Sequence, residues 1–167
     1  MSERNLTMMT DLYQLTMMYG HFMRNAKEEA VFDLFFREPT GNSSYAIVAG
    51  LEQAIEYIRD LRFTEEDIAY LDGLHLFSQG FLEYLKDFSF TGDLYAIPEG
   101  TPVFPGEPLI RVKAPIMQAQ LVETALLTIV NHQTLIAMRR EKMAPLWNSG
   151  CAEHRDRMLA FMGPGRR

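Results

Sequence analysis

Asp11 and Tyr13 stand two residues apart, at the start of a run whose apolar residues recur at helical spacing. In a functional reading, the Tyr13 ring stacks on a flat heteroaromatic ligand. Stacked aromatic pairs contribute only about 0.5–1.5 kcal/mol beyond burial, so Tyr13 is suited to position a ligand rather than to transform it. The plainer reading makes Asp11 a first-turn helix acid and Tyr13 a half-buried core aromatic. Arg37 closes an apolar run just before a loop containing Pro39 and Gly41. A guanidinium at a strand end can hold a phosphate or carboxylate by two parallel hydrogen bonds; the plainer reading is a solvated arginine.

Other reactive residues form no pattern. His132 lies in an apolar helical run and reads as a hydrogen-bonded core residue. His21, His75 and His154 make no metal-binding spacing with it, and no HExxH or Cys/His cluster occurs. Cys151 and His154 are near neighbours, but a gap of three residues does not make a nucleophile and its base. No GxxxxGK or GxGxxG phosphate loop is present. Motifs alone therefore supply no complete active site.

The elements that must carry these residues follow from periodicity and punctuation. Thr10 is the expected N-cap of a first helix with Leu12, Leu15, Tyr19 and Phe22 on its apolar face, weakened near its end by Gly20. Residues 30–37 read as a short buried strand, and 38–42 as a turn. A second helix is expected from about Ile47, with Leu51, Ala54, Ile55, Ile58 and Leu61 along one side. Thr64 and Asp67 have capping-box spacing and open a short helix ending near Gly73; another is expected over 81–88. Residues 90–114 read as a compact, twisted β unit, because eight prolines and glycines between Gly92 and Pro115 punctuate β-prone runs. Residues 116–137 read as one long helix, apolar on both sides and therefore largely buried.

Composition sets the class. The 167 residues are 47% hydrophobic and 23% charged, which is globular. A net charge of −6 makes nucleic acid an unexpected partner. Glu123, Asn131, His132 and Gln133 interrupt the most apolar stretch and argue against a membrane span. No signal peptide pattern is visible, and the expected location is the cytoplasm. One cysteine excludes an internal disulfide and a Cys-based zinc cage. The charge is uneven. Residues 138–167 carry seven Lys/Arg against three Asp/Glu, and the rest carry nine against nineteen.

Several segments together resemble the nicotinate phosphoribosyltransferase family: Thr10-Asp11-Leu12-Tyr13-Gln14, Phe32-Asp33-Leu34-Phe35-Phe36-Arg37, Ala49-Gly50-Leu51-Glu52, Phe90-Thr91-Gly92-Asp93, Pro98-Glu99-Gly100, Phe104-Pro105-Gly106-Glu107-Pro108-Leu109 and Gln120-Leu121-Val122-Glu123-Thr124-Ala125-Leu126-Leu127. The resemblance implies an α+β fold: the N-terminal α/β domain of a type II phosphoribosyltransferase with a compact β unit, followed by the first long helix leading toward an α/β barrel. It implies an enzyme of NAD biosynthesis that joins nicotinate to 5-phosphoribosyl-1-diphosphate. The full-length family uses Mg²⁺ and couples the reaction to ATP hydrolysis through a phosphohistidine carried by the barrel. It also implies a head-to-tail homodimer in which the N-terminal part of one subunit helps to build the other's site. On this resemblance Tyr13 stacks on nicotinate, Asp11 helps to orient the ring, and Arg37 reaches a phosphate across the dimer interface. Neither a phosphohistidine nor a metal ligand is carried onto this chain, which is expected to bind no Mg²⁺ or ATP alone. The nicotinamide-specific relative, a non-catalytic binding module and a carrier-type β module are the rivals. A carrier needs a lysine at a hairpin tip, whereas Lys113 lies at the end of a strand run.

The agreement ends near Ala137. The family continues with a Glu-Phe-Gly, an arginine pair and a Gln-Gly-Pro-Asp-Ala segment; here the chain instead reads Met138-Arg139-Arg140-Glu141-Lys142-Met143, and neither Glu-Phe-Gly nor Gln-Gly-Pro-Asp-Ala occurs in residues 138–167. Codons compatible with the segment from Ala144 onward permit that missing landmark, in order, when read from the third base. The expected organisation is therefore a phosphoribosyltransferase domain over 1–137 and an aberrant, out-of-frame tail over 138–167. Such a chain is expected to be inactive by itself and prone to self-association.

Overall fold

The computed structural model describes residues 5–37 and 45–148, and the fold is α+β. The expected tail boundary falls inside a described helix, while residues 149–167, with Cys151 and His154, and the 38–42 turn lie outside the described residues.

Helix α1 (Leu12–Met23) leads into strand β1 (Glu29–Phe35). After a short strand β2 (Ala46–Ile47) come three helices, α2 (Leu51–Arg59), α3 (Glu65–Gly73) and α4 (Gln79–Lys86). Strands β3 (Asp93–Ala96), β4 (Pro102–Val103) and β5 (Pro108–Pro115) follow, and helix α5 (Ile116–Asn148) completes the described chain. All strand pairs are antiparallel, in a three-stranded sheet ordered β1-β5-β3 and a ribbon of β2 with β4. The 90–114 unit is therefore not closed on itself. Its longest strand, β5, becomes the centre of the sheet by accepting β1 from about eighty residues earlier.

Strand β1 differs from expectation. It is an edge strand, half-buried on alternate residues, with Val31 and Phe35 exposed. A mostly aromatic and apolar composition predicted a buried strand, but α5 packs against only one face. The other carries cross-strand charges. Arg111 on β5 sits directly opposite Asp33 on β1 and donates to both carboxylate oxygens, at 2.7 and 2.8 Å. Lys113 reaches Glu29 at 3.1 Å.

Helix starts follow local chemistry. Thr64 accepts from the Asp67 backbone N–H at 3.2 Å while the Asp67 carboxylate accepts from the Thr64 N–H at 2.8 Å, closing the capping box read from the sequence. Helix α2 starts at Leu51, four residues later than expected, because Ala46 and Ile47 pair with Val103 and Pro102. Its buried side carries Ala54 and Tyr57, and Ile55 faces outward. The α1 N-cap is Asp11 rather than Thr10; the Thr10 hydroxyl is buried without a partner among the described residues. Leu12 is 49% exposed, so the inner face of α1 is Gln14, Leu15 and Met18.

The core is continuous. An aromatic cluster of Tyr19, Phe22, Phe77, Phe81, Tyr84 and Phe88 clamps α1 to α4, with ring centroids 5.2 to 6.2 Å apart. Helix α5 buries Ala119, Leu121, Val122, Ala125, Leu126 and Val130 between the sheet, α1 and α2. Its first half has neighbours on several sides, as its all-round apolar pattern required. Its later half is more open, and His132 is exposed rather than a core residue. The helix does not stop near Ala137: the backbone stays helical to Asn148, and Met138 is buried. Residues 116–139 are long and apolar enough to cross a membrane by length and composition, yet here they serve as the central strut of a folded unit.

Candidate functional site

Tyr13 projects from the first turn of α1 with 52% of its surface exposed. An exposed tyrosine usually swings freely, but here its hydroxyl oxygen accepts a hydrogen bond from the Gln14 side-chain amide at 2.8 Å. Gln14 is fully buried. Its amide nitrogen also donates to the Glu123 carboxylate at 2.8 Å, and its carbonyl oxygen accepts from the Gln120 amide. Gln120, 5% exposed, lies one turn before Glu123 on α5, so both project toward α1. A buried polar side chain is costly unless bonded, and here both hydrogens and the oxygen of the Gln14 amide have partners.

Asp11 is exposed beside this cluster, and one of its carboxylate oxygens accepts from the Thr124 hydroxyl at 3.1 Å. The carboxylate that suited a helix start makes no capping bond. It ties the start of α1 to α5 instead. Asp11 and Tyr13 are therefore brought together, and both are referenced to a single turn of α5.

Arg37 is positioned by different means. The Gly106 N–H donates to the Phe36 carbonyl at 2.6 Å, and the Phe36 N–H donates to the Glu107 carbonyl at 3.3 Å. The Glu107 side chain holds the Phe104 N–H at 2.8 Å, and Gly106 takes a φ of 86°, which favours glycine. The Phe104–Glu107 turn thus grips the chain immediately before Arg37. The guanidinium carbon lies 5.9 Å from the centre of the Phe35 ring, in cation–π range. Arg37 borders a cavity of about 320 Å³ between β1 and α5, and a second of about 430 Å³ further along the same groove. The first also takes in Asp33 and Glu123, but neither Tyr13 nor Asp11 lines either one. Tyr13 and Arg37 are therefore two separate presentations, and Glu123 touches both neighbourhoods.

Two further motifs prove to be scaffold. The Glu99 carboxylate accepts from the Gly50 and Leu51 backbone N–H groups, each at 2.6 Å. It thereby caps α2 from fifty residues away, where the positive end of the helix favours an anion. Gly50 has a φ of 103°, and a side chain there would crowd Gln133 and the Ile129 carbonyl at 3.1–3.2 Å. At Gly92 an added Cβ would meet Ala114 and the Lys113 carbonyl at 2.4 and 2.6 Å, so the turn into β3 can cross the end of β5 only as glycine.

Sequence reasoning named Asp11, Tyr13 and Arg37 but gave no role to Gln14, Gln120, Glu123 or Thr124. The available signal was their polarity inside otherwise apolar helical faces. Among the described residues, no group of three or more His, Cys, Asp or Glu is placed to hold a metal ion.

Comparisons with known proteins identify the family. The family model for the nicotinate phosphoribosyltransferase (NAPRTase) N-terminal domain matches residues 8–131. A nicotinate phosphoribosyltransferase of Bacillus subtilis is 46% identical over 140 residues, which cover 83% of this chain and 29% of the relative. One of Mycobacterium tuberculosis is 42% identical over 134 residues, covering 80% and 29%. The crystal structure of human nicotinic acid phosphoribosyltransferase superposes with a TM-score of 0.71 at 34% identity, over 76% of this chain and 26% of that one. The chain thus spans under a third of the length of these relatives. From motif order through tertiary arrangement, it belongs to the nicotinate phosphoribosyltransferase family, matching that family's N-terminal domain.

Proposed function

We propose that this chain supplies the pyridine-orienting part of a nicotinate phosphoribosyltransferase site. In this reading Tyr13 offers its ring face to nicotinate, Asp11 sits beside the ring to orient it, and Arg37 offers a guanidinium to a phosphate of the phosphoribosyl donor. The observation that carries the reading is the state of Tyr13: half-exposed, yet held at its hydroxyl by a fully buried amide. A core aromatic would be covered, and an incidental surface tyrosine would have no such anchor.

The chemistry explains why orientation is worth this structure. Joining a pyridine nitrogen to the ribose anomeric carbon breaks a bond to pyrophosphate while positive charge grows on the sugar. The nitrogen must already be aimed at close range, which converts a bimolecular encounter into a local step. Tyr13 and Asp11 serve that aim. The separation of Arg37 from Tyr13 suits a site shared between two copies, with each surface facing a different part of the reactants. A cytoplasmic setting, away from nucleic acid and membrane, fits such a role. Mg²⁺ and ATP belong to the wider reading of the family reaction. The described residues do not form a metal cage, and no step is assigned through either.

The test is a nicotinate titration followed by NMR of tyrosine ring resonances. Tyr13 ring signals are expected to move on adding nicotinate to the chain, and the response should vanish in Tyr13→Ala. Turnover of nicotinate and phosphoribosyl diphosphate by the 167 residues alone is expected to be undetectable. An unmoved Tyr13 ring, or turnover that survives Tyr13→Ala, would overturn the reading.

A further inference from the structure

We propose that Glu123 is a positioning residue that sets the orientation of the Tyr13 ring through Gln14. The inference deepens the reading of Tyr13 as a pyridine platform and rests on it.

The Gln14 amide could in principle be placed either way round. The Glu123 carboxylate 2.8 Å from its nitrogen decides the matter. Turned over, the amide would set its oxygen against a carboxylate oxygen with no proton between them, and its nitrogen against the Gln120 nitrogen, a donor facing a donor. Only one orientation satisfies all three partners. In that orientation the second amide hydrogen points at the Tyr13 oxygen, which becomes an acceptor and keeps its own proton turned outward. The chain of command therefore runs from α5 to the exposed ring. Glu123 orients the amide, the amide holds the hydroxyl, and the hydroxyl fixes the direction of the ring axis. Gln120 closes the cluster through contacts to Gln14 and, at 3.4 Å, to Glu123 itself. A half-exposed ring on a first helical turn has two rotatable bonds, and the hydrogen bond at its hydroxyl, which lies on the ring axis, selects the rotamer about the first of them.

A purely structural role for Glu123 predicts that its loss lowers stability and leaves the ring alone. The proposed role predicts a change at the ring. The chain, labelled with ¹³C in tyrosine, is compared as wild type, Glu123→Gln, Gln14→Leu and the exchange variant Gln14→Glu with Glu123→Gln. Side-chain couplings report the Tyr13 rotamer without ligand. Glu123→Gln keeps the side-chain volume, and Gln14→Leu keeps the core apolar, so at least one is expected to remain folded. Each should raise the minor Tyr13 rotamer roughly fivefold, the effect of losing one modest hydrogen bond. The exchange variant restores an amide–carboxylate pair; its carboxylate at position 14 can accept from the Tyr13 hydroxyl, which turns its proton inward, and the ring should return to its wild-type rotamer. Nicotinate affinity should follow the same order, weakened roughly fivefold in the single variants and recovered in the exchange. A Tyr13 rotamer unchanged in both single variants would overturn the proposal, as would failure of a folded exchange variant to recover it. If the rotamer responds but wild-type nicotinate leaves Tyr13 unmoved, the lock stands and the platform reading falls.

Discussion

Two polar clusters join distant parts of this chain, and they are built from different groups. On the outer face of the sheet, Arg111 grips Asp33 and Lys113 grips Glu29. Beneath the start of α1, Gln14 is held by Gln120 and Glu123. The outer ladder has the stronger individual bonds: full charges, and a bidentate guanidinium–carboxylate pair. It stands in water, where screening and side-chain entropy remove most of that advantage. The inner cluster has one carboxylate and two neutral amides, but Gln14 and Gln120 are buried and have no water to fall back on. The lesson is that surroundings, more than bond type, decide what a contact is worth. The ladder confirms a register that the strands already share. The inner cluster specifies how α1 meets α5, and with it the setting of Tyr13.

The sharpest way to break the comparison is Gln14→Ala. It opens a cavity and strips hydrogen bonds from Gln120, Glu123 and Tyr13 together. The expected cost is about 3 kcal/mol, read as a lowered urea midpoint with little change in slope. A loss no greater than that of a surface substitution would mean that the cluster is not structural.

Tyr57 offers the opposite case. It is 5% exposed, and its hydroxyl has no hydrogen-bond partner among the described residues. Burial pushes its phenol well above the usual tyrosine range, as expected for a group that cannot afford charge there. Here a buried polar atom is unsatisfied, so deleting it should help. Tyr57→Phe is expected to stabilise the chain by about 1 kcal/mol, measured by the same denaturation. A clear destabilisation would reveal a partner for the hydroxyl.

The smallest effect belongs to the ladder. Asp33→Asn should barely move the urea midpoint at neutral pH, and high salt should erase what difference exists. The hydrogen bond from Arg111, aided by its charge and opposed by slight desolvation, holds the Asp33 carboxyl below its ordinary range. A depressed carboxyl contributes stability above the unfolded value, near about 3.9, and loses it as pH falls through the lower folded value. Wild type and Asp33→Asn should therefore converge as the solution is acidified past that window. A gap that widens in acid would reverse the sign and reject this account.

Much of this was legible in the sequence, for local reasons. The Thr64 capping box, the short helix it opens and the buried first half of α5 depend on spacing within a few residues or on all-round apolarity. Gly92 and the Pro98–Gly100 turn stood out as punctuation, although their partners did not. Leu12 was misplaced because helical periodicity cannot tell which of two adjacent apolar stripes meets the core. Strand β1 was taken as fully buried because its apolar residues looked alike, while only tertiary packing reveals that α5 covers one face.

The site divides in the same manner. Residue pattern alone favoured a first-turn helix acid and a half-buried core aromatic for Asp11 and Tyr13, and the family resemblance singled the pair out as candidates. Arg37 was likewise visible at the end of an apolar run. Gln14, Glu123 and Glu99 were not assignable from the chain, because each matters through a partner that lies about fifty or more residues away. A glutamine in an apolar face reads as an imperfection until folding brings a carboxylate to it. Sequence thus determined which ring stands at the first turn of α1. Long-range packing, by burying an amide between two helices, decided how firmly that ring is held.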